Sequence, residues 1–160
     1  MKNTRHFKLT SETTVSILGT TLFRVELTID CAFGKKGDKG GFVEKEENLQ
    51  GNKAWLYNNA QIEGGGEIWG GEIRGGEIWG GVIWGGVIFK SPLQFSFSQH
   101  FAIVCKPGYL RIGCKEFTFE YWKDNFKTIG KANKCNDAEI DAYGIIIDMA
   151  LKIGDDCFKK

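Results

Sequence analysis

Five side chains at regular spacing are the strongest candidates for a binding surface in this sequence of 160 residues. Each directly follows an isoleucine of a short repeat, and together they form the outward set: Trp69, Arg74, Trp79, Trp84 and Phe89. Trp and Arg are among the residues most enriched at interface hot spots, and Trp rings also stack on nucleobases while Arg supplies charge. The pattern predicts a contact with a ligand or foreign protein, a contact between copies of the chain, or a surface covered by the chain's own flanks.

Two other groups could carry chemistry, and each also has a simpler interpretation. His100, in the run FSQHF, could act as a general base, but no acidic residue near it in sequence would orient it, so a partly exposed strand residue is favoured. Lys35 and Lys36 lie in the run GKKGDKGG, which has the glycines of a phosphate-binding loop without its spacing or a clear following helix. That run is predicted to be a turn whose lysines could still meet an anion.

The cysteines predict neither a metal site nor a cofactor. Their number is odd, no two are close in sequence, and none stands in a Cys/His cluster: Cys31, Cys105, Cys114, Cys135 and Cys157. This arrangement is typical of reduced thiols in a cytosolic protein. The first ten residues are polar and no long apolar run follows, so neither a signal peptide nor a membrane span is expected.

The outward set belongs to a repeat whose period is five residues. The isoleucines of this repeat are Ile68, Ile73, Ile78, Ile83 and Ile88. Upstream the period is six, from Leu56 through Ile62 to Ile68. A helix needs a period of 3.6 and a strand a period of 2. A period of five or six with one aliphatic residue per unit and glycines between therefore predicts a β-solenoid.

The repeat leaves the number of sides of the solenoid open. In a triangular coil, units three apart stack and Trp84 lies over Trp69; in a quadrilateral coil, units four apart stack and Phe89 lies over Trp69. Glutamates precede three of the isoleucines and would form an outward acidic ladder, which is interpreted as a solvated face or as pairing with Arg74.

Alternating and helical patterns flank the repeat. Phe7 to Asp30 alternates around the turn-like run SILGTT and predicts strands. After Pro92, further short strands are expected. Thr118 can cap a helix to about Lys131, and Asn136 with Glu139 resembles the start of a second helix that ends near Gly154.

The expected fold class is mainly β: a short single-chain β-solenoid with flanking β-strands and a C-terminal two-helix hairpin. The predicted divisions are 1–34 for N-terminal strands, 35–91 for a capping segment and the solenoid repeats, 92–115 for further strands and 116–160 for the helical hairpin.

Residues 35 to 62, KKGDKGGFVEKEENLQGNKAWLYNNAQI, resemble the entry segment of polymer-forming, hexapeptide-repeat-like β-helix proteins of bacteria and phages or prophages. The Gly-Gly-Glu-Ile-Trp units and the stretch from SPLQ through GYLRIGC to the paired helices resemble uncharacterised prophage proteins of the same sort. The resemblance covers about Phe7 to Leu151. It implies a β-helix body and a mobile-element origin, and it supplies no reaction.

Charge and motifs together favour a binding protein over an enzyme. The 21 basic and 20 acidic residues leave a net charge of +1, so direct DNA binding is not expected. With the mobile-element origin that the resemblance implies, the predicted function is that of a non-catalytic phage-type accessory protein in the cytoplasm of the bacterial host. It would form a dimer or trimer and inhibit a host defence system by binding a protein or a nucleotide signal. The alternatives are a structural phage component and a hexapeptide-type acyltransferase that uses His100.

Overall fold

The protein is mainly β with two helices at its C-terminal end, as the sequence predicts. The computed structural model describes residues 5–97 and 99–160. The first four residues of the predicted N-terminal strand segment, and Ser98 within the predicted segment 92–115, lie outside the described residues.

Fourteen strands and two α-helices are present in the described ranges, along with 3₁₀ turns at Glu46–Asn48 and Gly154–Phe158. Many of the strands contain only two or three residues. The strands are β1 Phe7–Val15, β2 Thr21–Leu27, β3 Lys39–Val43, β4 Ala54–Leu56, β5 Gln61–Ile62, β6 Glu67–Ile68, β7 Gly71–Ile73, β8 Glu77–Ile78, β9 Val82–Ile83, β10 Val87–Ile88, β11 Gln94–Phe97, β12 His100–Lys106, β13 Tyr109–Ile112 and β14 Lys115–Thr118. The helices are α1 Phe119–Ala132 and α2 Asp137–Ile153.

The strands of the repeat region, residues 41–89, pair in parallel with the strand three units away. β4 pairs with β7 and β7 with β10, while β5 pairs with β8 and β6 with β9. Successive units therefore belong to three different small sheets, and every third unit returns to the same one. Of the two stacking alternatives, the backbone adopts the one in which units three apart stack.

Aliphatic side chains of paired units lie in register and are completely buried. Ile62 is paired with Ile78, Ile68 with Ile83, and Ile73 with both Leu56 and Ile88. Burying one such side chain stabilises a fold by about 2 kcal/mol. One isoleucine from each short unit thus builds the core that the repeat predicts, even though no unit alone could bury it.

Strand β3 joins the N-terminal hairpin to the repeat region. Its Phe42 and Val43 pair antiparallel with β2 and parallel with β5. The hairpin of β1 and β2 consequently extends one of the three sheets beyond the first unit, in the order β1-β2-β3-β5-β8. Both hairpin strands lie in the segment Phe7 to Asp30, for which the sequence predicts strands.

Residues that follow the repeat cover its C-terminal edge in all three sheets. The Gln94 side chain accepts a hydrogen bond from Trp79 N at 3.1 Å and donates one to Glu77 O at 2.9 Å, as a further strand would. The carbonyl of Cys105 in β12 accepts from Trp84 N at 3.2 Å. The carbonyl of Cys157 accepts from Phe89 N at 2.8 Å. The last strand of each sheet is therefore not an open edge. Open edges expose unpaired backbone groups with which another chain can pair.

The C-terminal part is a four-stranded antiparallel meander, β11 to β14, with the two helices packed on it. The helices run antiparallel, since Gly130 lies against Ile140 and Gly144 against Phe126. The predicted helix starts are confirmed: the Thr118 hydroxyl accepts from Tyr121 N, and a capping box opens α2.

One segment differs from its prediction. Residues 115–118 form β14, which pairs with β13 along its whole length, although the helical hairpin was expected from residue 116. The lone run KEFT is too short to show strand periodicity by itself, and only the neighbouring β13 provides it with a partner.

Replacing Gly71 with alanine should lower the free energy of unfolding far more than the same change at Gly85. Gly71 has φ +91°, and a Cβ there would lie 2.3 Å from the carbonyl oxygen of Gly86, so strain and backbone overlap add. We expect Gly71→Ala to lower the free energy of unfolding by about 3 kcal/mol. Gly85 has open space around its Cβ position and no positive φ. Gly85→Ala is the matched control and should lose no stability in urea unfolding; equal losses for both variants would contradict the described register.

Candidate functional site

The outward set is divided among the three sheets of the repeat region and does not form one patch. Because successive units lie in different sheets, neighbours in one sheet come from units three apart. Trp69 and Trp84 follow the paired strands β6 and β9, Arg74 and Phe89 follow β7 and β10, and Trp79 follows β8 in the third sheet.

Trp69 and Trp84 form an exposed aromatic pair on one side of the molecule. Trp69 N donates to Ile83 O at 2.9 Å, so Trp69 and Trp84 lie side by side on neighbouring paired strands, one rung of the sheet apart. Their ring centroids are 5.6 Å apart with planes inclined by 31°. Each side chain is 45% exposed, and Trp79 is 40% exposed. The alternative in which the flanking segments cover the indoles is therefore wrong for all three tryptophans.

A glutamate two residues before each of two tryptophans accepts the indole hydrogen bond. Trp69 Nε1 donates to Glu67 Oε2 at 3.0 Å, and Trp79 Nε1 donates to Glu77 Oε2 at 3.3 Å. Residues i and i+2 of a strand share a face, so the spacing Glu-Ile-Trp is what brings these groups together. Glu67, Glu72 and Glu77 belong to three different sheets, so they do not form the acidic ladder that the sequence suggests.

Arg74 is held between a carboxylate and an aromatic ring. Its guanidinium donates twice to Glu72 Oε2, at 2.9 and 2.6 Å, and lies 5.1 Å from the centroid of the Tyr57 ring. Tyr57 was not among the predicted site residues. A sequence signal existed, because Tyr57 follows Leu56 and Arg74 follows Ile73, three units further along the chain.

Trp79 lines an open groove of about 350 Å³ beside the C-terminal 3₁₀ turn. Lys90 and Gln94 from the segment after the repeat, and Ile153 and Asp156 from the chain's end, complete its walls. The groove combines an indole with a lysine, which are groups that recognise aromatic anions. It arises from the covering of the third sheet by Gln94, which repeat periodicity does not indicate.

His100 lies outside the repeat region, in the antiparallel meander. It lines a largely apolar cavity of about 50 Å³ with Tyr143, Cys114 and Cys135. His100 Nδ1 is 2.9 Å from the Tyr143 hydroxyl, so a hydroxyl and not a carboxylate orients the ring. Burial raises the pKa of both Tyr143 and Cys135. The acyltransferase alternative stays a prediction, and it would require a substrate to reach this cavity.

Lys35 and Lys36 lie in a turn, as predicted. The backbone N–H groups of this turn, which a phosphate would need, are already engaged: Lys35 N donates to Asp38 Oδ2 and Lys36 N to Asp30 Oδ1, both at 2.8 Å. Two carboxylates therefore occupy the place of an anion. The exposed lysine side chains are the groups that remain for anion contact.

Within residues 5–97 and 99–160, no three His, Cys, Asp or Glu side chains converge as metal ligands would. Over the same ranges, neither helix combines the length and the apolar character that crossing a membrane requires.

The five thiols should differ sharply in reactivity. Burial raises the pKa of Cys105 and of Cys157 to about 12, while Cys114 is exposed and lines the cavity beside His100. Because the thiolate is the reactive form, Cys114 should be alkylated by iodoacetamide at pH 8 well before Cys105 or Cys157, which should react only after unfolding. Peptide mass spectrometry of timed samples measures this order; prompt alkylation of Cys157 would contradict its buried position beside the edge of β10.

Comparison with known proteins provides no relative on which the function could be based. No family model, no curated protein and no solved structure matches the chain. The resemblance of residues 35 to 62 to hexapeptide-repeat-like proteins stays a prediction, and the function rests on the geometry of the surfaces.

Proposed function

We propose that the protein acts by binding, and that its body is one short, three-sided β-solenoid. The parallel pairing of units three apart and the buried columns of aliphatic side chains support this architecture. A solenoid of this kind fixes outward side chains on a rigid backbone, one rung above another. Side chains held in this way lose little further freedom when a partner binds.

The observation that carries the proposal is the exposed pair of Trp69 and Trp84. Two adjacent indoles, each nearly half exposed, form a contiguous apolar surface, and such surfaces mark sites of interaction with another molecule. Aromatic anchors near the centre of an interface supply most of its binding energy. The pair is therefore the surface that best fits a macromolecular partner.

The partner we propose is a protein of a bacterial host's defence system. This step rests on the resemblance of residues 35 to 62 to phage and prophage proteins. A dimer of the chain would form side by side through a lateral surface, because covered sheet edges at the C-terminal end do not support end-to-end stacking. That covering also disfavours the alternative of a structural phage component that grows by end-to-end addition.

The test is native mass spectrometry of the tagged protein recovered from a bacterial lysate. The wild-type chain should carry a host protein in fixed stoichiometry, with or without a second copy of itself. In the Trp69→Ala/Trp84→Ala double variant the bound fraction should fall at least about tenfold, since two anchor residues are lost. Trp79→Ala removes an equally exposed indole from another side and is the matched control.

A wild-type chain that is a bare monomer would contradict the proposal. Equal loss of the partner in the double variant and in Trp79→Ala would contradict the assignment to the Trp69–Trp84 pair. Circular dichroism and urea unfolding of both variants establish that they fold.

A nucleotide ligand is the second candidate, and the groove at Trp79 favours it. The groove volume of about 350 Å³ suits a small molecule, and Lys90 supplies a cation beside the indole. If a nucleotide is the ligand, calorimetry should detect its binding to wild-type protein. Binding should weaken with Trp79→Ala or Lys90→Ala and stay unchanged in the Trp69→Ala/Trp84→Ala variant.

A further inference from the structure

The molecule contains its own example of how the outward positions bind a cation. The guanidinium of Arg74 lies over the Tyr57 ring, 5.1 Å from the ring centroid, and donates two hydrogen bonds to the carboxylate of Glu72. The aromatic residue comes from the unit whose strand β4 pairs with β7, and the carboxylate comes from two positions before Arg74 in its own unit. A guanidinium is thus stabilised by a ring face and a carboxylate at the same time.

The Trp69–Trp84 pair repeats this arrangement without the cation. Trp69 takes the place of Arg74 in its unit, Glu67 takes the place of Glu72, and Trp84 adds a second ring one rung away. The indole N–H of Trp69 is already donated to Glu67. Trp69 therefore offers a partner its ring face, and Glu67 retains further lone pairs that can accept hydrogen bonds.

The charge of the repeat region favours the same kind of partner. Between residues 41 and 89 there are seven glutamates, two lysines and one arginine, which leave a net charge of −4 in a chain whose total is +1. A cation approaching this region is attracted, whereas a phosphate backbone is repelled. Carboxylates and electron-rich ring faces both favour positive charge.

We infer that the Trp69–Trp84 pair and Glu67 bind an arginine side chain in a basic segment of the partner protein. Arginine fits better than lysine because its planar guanidinium stacks on indole while its fork of donors reaches a carboxylate. This inference rests on the proposed function and specifies the chemistry of the partner. It excludes single-stranded nucleic acid as the occupant of this surface.

The experiment measures binding of an acetylated and amidated tetra-arginine peptide to the full chain by isothermal titration calorimetry at low salt. A tetra-citrulline peptide of the same shape and no charge is the ligand control, and an oligothymidine of eight nucleotides tests nucleic acid. Tetra-arginine should bind with at least about tenfold higher affinity than tetra-citrulline. The indole N–H resonances of Trp69 and Trp84 should shift in an NMR titration.

Variants separate the contribution of the two indole rings from that of the Glu67 carboxylate. The Trp69→Ala/Trp84→Ala double variant should weaken tetra-arginine binding about tenfold, and Glu67→Gln about threefold, because the first removes both ring faces and the second one charge. Ile145→Ala changes an exposed apolar residue of α2 and should have no effect.

Equal affinities for tetra-arginine and tetra-citrulline would overturn the inference, and so would tighter binding of oligothymidine. Insensitivity of tetra-arginine binding to the double variant would overturn it as well, since the cation would then bind elsewhere. If the peptide test fails while the double variant still loses its partner from lysate, the proposed function stands and only the arginine chemistry is wrong. If both fail, the Trp69–Trp84 pair is not a binding surface.

Discussion

The parallel hydrogen bonding between units three apart determines where every outward side chain of the repeat region lies. A unit contributes only two or three strand residues, too few for a sheet of its own. It becomes ordered because its isoleucine is buried against isoleucines one rung above or below, and because its backbone N–H and C=O groups pair with the same rungs. Once that register is set, Trp69 must lie beside Trp84 and Arg74 above Tyr57. The surface chemistry is a consequence of the core.

The sequence predicts the length of each repeat unit and its buried residue. It does not predict which units pair, and the reason is geometric. The spacing of Ile68, Ile73 and Ile78 gives the number of residues in each unit. It does not give the number of units after which the chain returns to the same sheet, because that depends on the bend between successive strands. Pairing of units three apart and pairing of units four apart both fit the same sequence, and only the backbone hydrogen bonds distinguish them.

The coverings of the sheet edges show a different limit. Gln94 acts through its side-chain amide, but Cys105 and Cys157 act through backbone carbonyls, which every residue possesses. No residue type marks such a position, so the sequence could predict strands and helices after the repeat without predicting what they do. The local signals were better for the helices, where Thr118 and Asn136 accept hydrogen bonds from residues three positions on. The same difference explains why the outward tryptophans could be predicted and the groove at Trp79 could not.

The covering of one sheet by Cys157 also has a consequence for synthesis on the ribosome. The strand it covers, β10, ends at Ile88, whereas Cys157 lies 69 residues further along the chain. When the repeat units emerge from the exit tunnel, this edge of β10 has no partner until Cys157 has emerged as well. Throughout that interval the nascent chain exposes an unpaired strand edge beside partly formed isoleucine columns, the type of surface that chaperones recognise. The 3₁₀ turn Gly154–Phe158 is therefore the element whose arrival ends this exposure during synthesis.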